Sequence, residues 1–297
     1  MSAPFETYLK ERAQVVDQAL DRLLPAEANA PETIHKAMRY SVFAGGKRLR
    51  PVLVIAGAEA VGGRMDAVLP TACALELIHT YSLIHDDLPA MDNDDFRRGR
   101  PTSHKVFGEA MAILAGDGLL THAFRLIADN WRPGMDATVL RDVLVDVADA
   151  AGTDGMVGGQ VADLEAEGRR IGADMLDYIH LHKTAALIRT SIRVGARLSG
   201  ATAAQLQALS VAGADLGLAF QIVDDILDVT GTTEQLGKTA GKDQAQQKAT
   251  YPAIHGLDAS RARAKVLVDE ALGALAPLGP PADPLRALAQ FILERKA

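Results

Sequence analysis

Apolar residues recur at three- and four-residue spacing along most of the chain, the repeat of an amphipathic helix rather than the two-residue alternation of a strand. The spacing predicts helices over about 4–24, 31–44, 48–61, 66–88, 104–130, 136–151, 155–167, 173–199, 203–230, 251–275 and 282–295. Gly45-Gly46, Gly62-Gly63, Pro133-Gly134, Gly200 and Gly279-Pro280-Pro281 punctuate them. No strand alternation persists and no long polar linker divides the chain. The expected architecture is all-α, one domain spanning residues 1–297.

Composition strengthens the helical reading. Alanine and leucine, good helix formers, are abundant, while aromatic residues make up only 4%. With 48% apolar and 23% charged residues, the chain can bury a substantial core. A formal charge of −7 argues against nucleic acid as the main partner. It leaves anionic substrates open, provided metal ions or local basic clusters offset the acidic field. Cys73 is the only cysteine, so no internal disulfide forms, and its apolar neighbours read as core. The N-terminal residues carry no basic-then-apolar signal pattern, and no strongly apolar stretch reaches the roughly 20 residues that cross a bilayer. The expectation is a cytoplasmic protein without stable membrane insertion.

The chemistry sits in one pattern that occurs twice. Leu83-Ile84-His85-Asp86-Asp87 is echoed by Gln221-Ile222-Val223-Asp224-Asp225, each placing paired aspartates at the end of an apolar helical stretch. Ionised aspartates are seldom buried without a partner, so these helix ends should open onto a polar cavity. In the second copy Asp224 and Asp228 share a helix face and would repel unless a cation lay between them. A solvated acidic helix end fits that motif equally well. In the first copy Asp86 and Asp92 are out of helical register, but Pro89 disfavours helix at Leu88 and lets the chain bulge, so a loop can return Asp92 to the side of Asp86. Magnesium takes one or two carboxylates plus substrate phosphates, and two facing acidic clusters suit ions bridging a diphosphate.

Basic groups accompany these acids. Gly45-Gly46-Lys47-Arg48-Leu49-Arg50-Pro51 reads either as a glycine C-cap with cations near a helix dipole, or as a turn whose Lys47 and Arg50 grip a diphosphate. Arg97-Arg98-Gly99-Arg100-Pro101 trails the first acidic loop as a solvated mixed-charge loop or as a phosphate clamp. Lys183-Thr184, Lys238 and Lys242-Asp243 form a third group. Gly237-Lys238-Thr239 is not a nucleotide phosphate loop, because Gly231 lies one residue too far upstream and a helix rather than a strand precedes it.

In order along the chain, Gly45 to Pro51, Ser82 to Asp92 with Arg97 to Thr102, Lys183-Thr184, Phe220 to Asp228 and Gly237 to Asp243 resemble the trans-prenyltransferases, most closely those of the bacterial farnesyl diphosphate synthase type. A single Asp-Asp-x-x-Asp pattern is weak, but five motifs in register are specific. The resemblance implies a helical bundle of the isoprenoid synthase type around a central cavity, a single polyprenyl synthetase domain, and a homodimer. It implies Asp86, Asp87 and Asp92 as magnesium ligands on one side and Asp224 and Asp228 on the other. The allylic diphosphate would be held with help from Arg97, Lys183 and Lys238, and isopentenyl diphosphate by Lys47, Arg50, His79 and Arg98. Thr184 and Gln221 would soften an allylic cation with their dipoles.

Tyr81 lies five residues before Asp86, about 7.5 Å along a helix. A tyrosine there would floor the pocket and stop growth at fifteen carbons. Ser82, at four residues before Asp86, is the better aligned of the two, which leaves core packing open for Tyr81. Rival expectations are a geranylgeranyl or geranyl diphosphate synthase, a terpene cyclase, which would leave Arg98 and the Gly45 to Pro51 segment surplus, and a non-catalytic partner subunit.

Overall fold

The computed structural model describes residues 3–230 and 249–295, and over these the protein is all-α apart from one short hairpin. The Gly237 to Asp243 segment, with Lys238 and Lys242, lies outside the described residues. The first helices are α1 (Ala3–Leu23), α2 (Glu32–Val42), α3 (Leu49–Glu59) and α4 (Leu69–Asp86). A two-stranded hairpin, β1 (Phe96–Arg97) and β2 (Arg100–Pro101), leads into α5 (Ser103–Phe107) and α6 (Glu109–Ala128). Then come α7 (Ala137–Ala151), α8 (Met156–Ala166), α9 (Ala173–Ile179), a π turn (His180–Ala185) and α10 (Ala186–Leu198). The chain continues as α11 (Ala203–Thr230), α12 (Tyr251–His255), α13 (Leu257–Leu275) and α14 (Asp283–Glu294).

Helices α3 and α10 form the spine. Pro51 through Ala58 of α3 are all buried, so this helix presents no solvent face over that stretch, as its unbroken apolar run requires. Two apolar cores flank the pair. One is built from α2, α4, α6 and α7, with Leu75, Ile78, Leu119 and Val143; the other from α11, α13 and α14, with Leu216, Leu267 and Leu288. Both α3 and α10 contribute to each, through Val54 and Val194 on one side and Leu53 and Ile192 on the other. Their backbones nearly touch. A Cβ on Gly57 would lie 2.0 Å from the Ile192 carbonyl oxygen, and one on Gly195 1.9 Å from that of Val54.

Most predicted helices are present, with instructive differences. The stretch expected as one helix over 104–130 breaks at Gly108 (φ 83°), and that over 251–275 breaks at Gly256 (φ 82°). The 173–199 stretch passes through the six-residue π turn, which shifts the register of Lys183 and Thr184. The hairpin escaped prediction because two-residue strands carry no alternation to detect; Arg98 (φ 53°) and Gly99 (φ 74°) make its turn. The expectation that no helix is apolar and long enough to cross a bilayer is corrected: α6 and α11 both are, by length and composition. Each packs within this bundle, α6 against α4 and α11 against α10 and α13, and α6 also carries exposed apolar residues, Ile113 and Leu114. Cys73 is wholly buried and its thiol is pushed up to about 12, chiefly by that burial.

Candidate active site

The first acidic motif caps α4. The Asp87 amide still donates to Leu83 O, after which Pro89 ends the helix and the chain folds back. The amides of Met91 and Asn93 both donate to Leu88 O (2.9 and 3.1 Å), and Asn93 adopts φ 49°. The Asp92 amide then donates to Asp86 O at 2.9 Å, so the bulge predicted from Pro89 returns Asp92 beside Asp86. The Asp86 carboxyl is raised to about 6, mainly by burial; the Lys183 ammonium opposes the rise, while Asp92 and Asp87 add to it. Asp87 is buried and engaged by Arg97, whose Nε and Nη2 donate to its Oδ1 at 2.7 and 2.6 Å. Arg97 therefore faces the first motif itself.

Across from it, the π turn and α11 supply the second half. Lys183 Nζ donates to Asp163 Oδ2 of α8 at 2.6 Å. Thr184 Oγ1 donates to Gln221 Oε1 at 3.0 Å, and Gln221 Nε2 to Asp225 Oδ1 at 3.2 Å. Asp224 is half-exposed and paired with Arg295, whose guanidinium lies 4.0 Å from the centre of the Phe220 ring. Asp228, one turn on, is buried. Asp225 is buried as well and accepts from the Tyr251 amide at 2.9 Å and from His180 Nε2 at 3.0 Å.

Beside the second motif opens a cavity of about 750 Å³ lined by Lys47, Arg50, His79, Arg98, Asp224 and Arg295, among others. All four residues expected to hold isopentenyl diphosphate thus meet in one place. Arg98 reaches it by donating to Gly45 O. Arg50 Nε is buried without a hydrogen-bond partner among the described residues, and burial lowers its guanidinium to about 10 despite Glu76, with Arg98 lowering it further. His79 is pushed well below the usual imidazole range by burial and by Arg50 and Arg98. Arg98 thus lowers the proton affinity of Arg50, and both lower that of His79, an environment that a nearby anion would relieve.

Several groups in and under the site were not legible from sequence. Arg48, at φ 51°, is buried and donates to Glu76 Oε1 (2.8 Å), Asp17 Oδ1 (2.8 Å) and Val42 O (2.7 Å), which fixes the turn that presents Lys47 and Arg50. Asp163 and Arg295 belong to the same class. The Gly158-Gly159-Gln160-x-x-Asp163 spacing on α8 was the available signal for Asp163, whereas Arg295 carried none. Tyr81 is 7% exposed, packs edge-on against His85 at 5.7 Å, and is raised by burial and by Asp86. Ser82 turns back on its own helix, donating to His79 O at 2.9 Å.

The family model described as polyprenyl synthetase matches residues 31–276, which spans both acidic motifs, Lys183-Thr184 and the four basic residues of the cavity; Asp17 and Arg295 lie outside it. The chain belongs to the polyprenyl synthetase family. It is 52% identical over 252 residues to a protein of Geobacillus stearothermophilus named farnesyl diphosphate synthase, covering 85% of this chain and 84% of that one. It is 47% identical over 290 residues to one of Cyanophora paradoxa named geranylgeranyl diphosphate synthase, covering 97% and 96%. Among solved structures, an FPP/GFPP synthase from Zymomonas mobilis superposes with a TM-score of 0.87 at 37% identity, covering 99% of this chain and 100% of that one. This polyprenyl synthetase therefore has the all-α isoprenoid synthase fold, and its class of reaction is prenyl transfer by chain elongation.

The donor set is compatible with magnesium. Among the described residues no three acid, imidazole or thiol groups close on one point. The two acidic ends offer only hard carboxylate oxygens, and Asp86 is raised partly by its own acidic neighbours, an environment a cation relieves.

Proposed function

We propose that this polyprenyl synthetase joins isopentenyl diphosphate head to tail with dimethylallyl or geranyl diphosphate, releasing diphosphate and giving the fifteen-carbon farnesyl diphosphate. The observation that carries the reading is the cationic cavity of Lys47, Arg50, His79 and Arg98 beside the second acidic motif. A cyclase has no second diphosphate to hold, and these four groups would serve nothing in it.

Asp86 and Asp92 on one side, with Asp87 adjacent, and Asp224 and Asp228 on the other are the residues that would hold magnesium. When bound, the ions would neutralise charge on the allylic diphosphate. The chain's own groups do the rest. Lys183, and Arg97 beside Asp87, add positive charge where the allylic C–O bond breaks. Arg50 and Arg98 fix the second diphosphate, so that the alkene of isopentenyl diphosphate lies against the nascent cation. The dipoles of Thr184 and Gln221 face that cation without supplying a nucleophile that would trap it. The apolar residues beneath α4 keep water out.

A fifteen-carbon limit is supported by buried Tyr81, five residues before Asp86 on the same helix and braced by His85. A homodimer is supported by the outward face of α6, where Ile113 and Leu114 are 44% and 53% exposed. The test of the activity is to give purified protein magnesium, isopentenyl diphosphate and either starter, then measure chain length by mass spectrometry. Fifteen carbons is the expected product. A ten- or twenty-carbon product retains the reaction and removes the Tyr81 limit, and no elongation from folded protein refutes the reading.

A further inference from the structure

The hydrogen-bonded chain from Asp225 to Thr184 has a direction, and one residue sets it. Asp225 is buried and accepts three bonds: from the Tyr251 backbone amide (2.9 Å), from His180 Nε2 (3.0 Å) and from Gln221 Nε2 (3.2 Å). The Tyr251 amide can only donate, which fixes Oδ2 as an acceptor. A carboxylate offers its neighbours nothing but acceptors, so Gln221 must turn its NH2 toward Oδ1. That leaves the amide oxygen of Gln221 facing Thr184, and the Thr184 hydroxyl must spend its proton on it, at 3.0 Å. With its proton committed, Thr184 presents lone pairs, not a proton, to the space beside Lys183.

We infer that Asp225, the second acid of the α11 motif, is a positioning residue that sets the polarity of Gln221 and Thr184, so that both present oxygen lone pairs to the allylic cation. Resting on the prenyl-transfer reading above, the inference gives Asp225 a task different from those of Asp224 and Asp228. Among the described residues its hydrogen bonds are all from protein donors, and one of them, Tyr251, begins α12. The same carboxylate therefore anchors the start of the π turn through His180, the amide of Gln221, and the first residue of α12. An asparagine at 225 would keep its oxygen on Tyr251 and His180 and aim its NH2 at Gln221. Gln221 would then flip, its NH2 would face Thr184, and the Thr184 proton would swing toward the cation.

The experiment is a functional-group swap. Asp225→Asn is expected to lower kcat about 100-fold, the usual cost of one misdirected dipole at a charged transition state, with KM for both diphosphates within about threefold of wild type. The double variant Asp225→Asn with Gln221→Glu restores the order of donors and acceptors. The new amide at position 225 donates to the new carboxylate at position 221, and that carboxylate accepts from Thr184. Its kcat is expected to exceed that of Asp225→Asn by about tenfold or more. A folded Asp225→Asn with wild-type kcat overturns the inference, as does a swapped variant no faster than the single one. Should Asp225→Asn not fold, the swapped variant is compared with Gln221→Leu, which cuts the chain at its middle. Faster turnover in the swap supports the inference, and equal turnover overturns it. Wild type that elongates no chain fails the prenyl-transfer reading instead, so the two failures are distinguishable.

Discussion

Gly46 lies in the turn before α3 at φ 129°, and a Cβ there would sit 2.6 Å from Arg98 Nη1 and 2.7 Å from its Cζ. Gly46→Ala thus drives a methyl group into the guanidinium. The flexible side chain yields before the turn does, because the turn is fixed by Arg48, which is bonded to Glu76, Asp17 and Val42 O. Arg98 then leaves Gly45 O and its place in the cavity. One charge-assisted hydrogen bond to the isopentenyl diphosphate is worth about 1.5–3 kcal/mol, a factor of about 10–150 in affinity. The added strain of a side chain at this φ costs the fold about 1–3 kcal/mol, which urea unfolding reads separately from the kinetics. Steady-state kinetics with each substrate varied against saturating partner is the assay. KM for isopentenyl diphosphate should rise by that factor, while KM for the allylic diphosphate stays within about threefold. Arg98→Gln added to Gly46→Ala should cost nothing more, since both remove the same contact. A folded Gly46→Ala with unchanged KM for isopentenyl diphosphate, or with equal rises for both substrates, would refute the reasoning.

Three further expectations follow from burial and charge. Tyr81→Ala would remove the proposed floor beneath the first motif and should shift products beyond fifteen carbons; an unchanged chain length by mass spectrometry removes Tyr81 from that role. Glu76→Gln removes the buried one of the two carboxylates on Arg48, leaving the half-exposed Asp17, with Glu76 and Arg48 side chains 2% and 3% exposed. It should cost about 1.5–3 kcal/mol in urea unfolding, and a loss below about 0.5 kcal/mol contradicts the pairing. Asp215, facing Glu270 between α11 and α13, is raised to about 6, mainly by burial and then by Glu270, with Arg263 opposing. Folded protein therefore holds this proton more tightly than the unfolded chain, whose aspartates titrate near ~4. The associated stability is complete below pH ~4 and is lost as pH rises through about 6. Asp215→Asn should gain about 1 kcal/mol above pH ~7, allowing for solvent screening of a half-buried group, and denaturation at several pH values checks whether the gain disappears in acid.

The parts of the site that were legible in the sequence are those whose logic is local. Pro89 announced the bulge because a proline acts on its immediate neighbours, and Asp92 returns to Asp86 as that requires. The apolar period announced α4 and α11, and with them the ends that carry the aspartates. Contacts made only by tertiary packing were silent. Arg48 looked like one more cation of the basic turn, yet its partner Glu76 is 28 positions away on a helix whose spacing gave no hint of a buried acid. Asp225 looked like half of an acid pair, and only the packing of Tyr251 and His180 around it separates its surroundings from those of Asp224. The π turn was illegible for a related reason. One extra residue in a helix leaves the apolar period nearly intact, so Lys183 and Thr184 read as ordinary helical positions. Gly108 and Gly256 were visible as glycines but not as breaks, since the apolar pattern resumes on both sides of them.

The near-contact of α3 and α10 has a bearing on geometry at a distance. α3 starts at the turn that offers Lys47 and Arg50, and α10 starts at the turn that offers Lys183 and Thr184. Gly57 and Gly195 press each helix against a carbonyl of the other, with no side chain between them to flex. Those two glycines act as the rivet of a pair of callipers whose tips, on the proposed function, would be the two diphosphate grips. The gap between the tips, and with it the distance a new carbon–carbon bond would bridge, would then be gauged by backbone packed on backbone, which has no rotamer to yield.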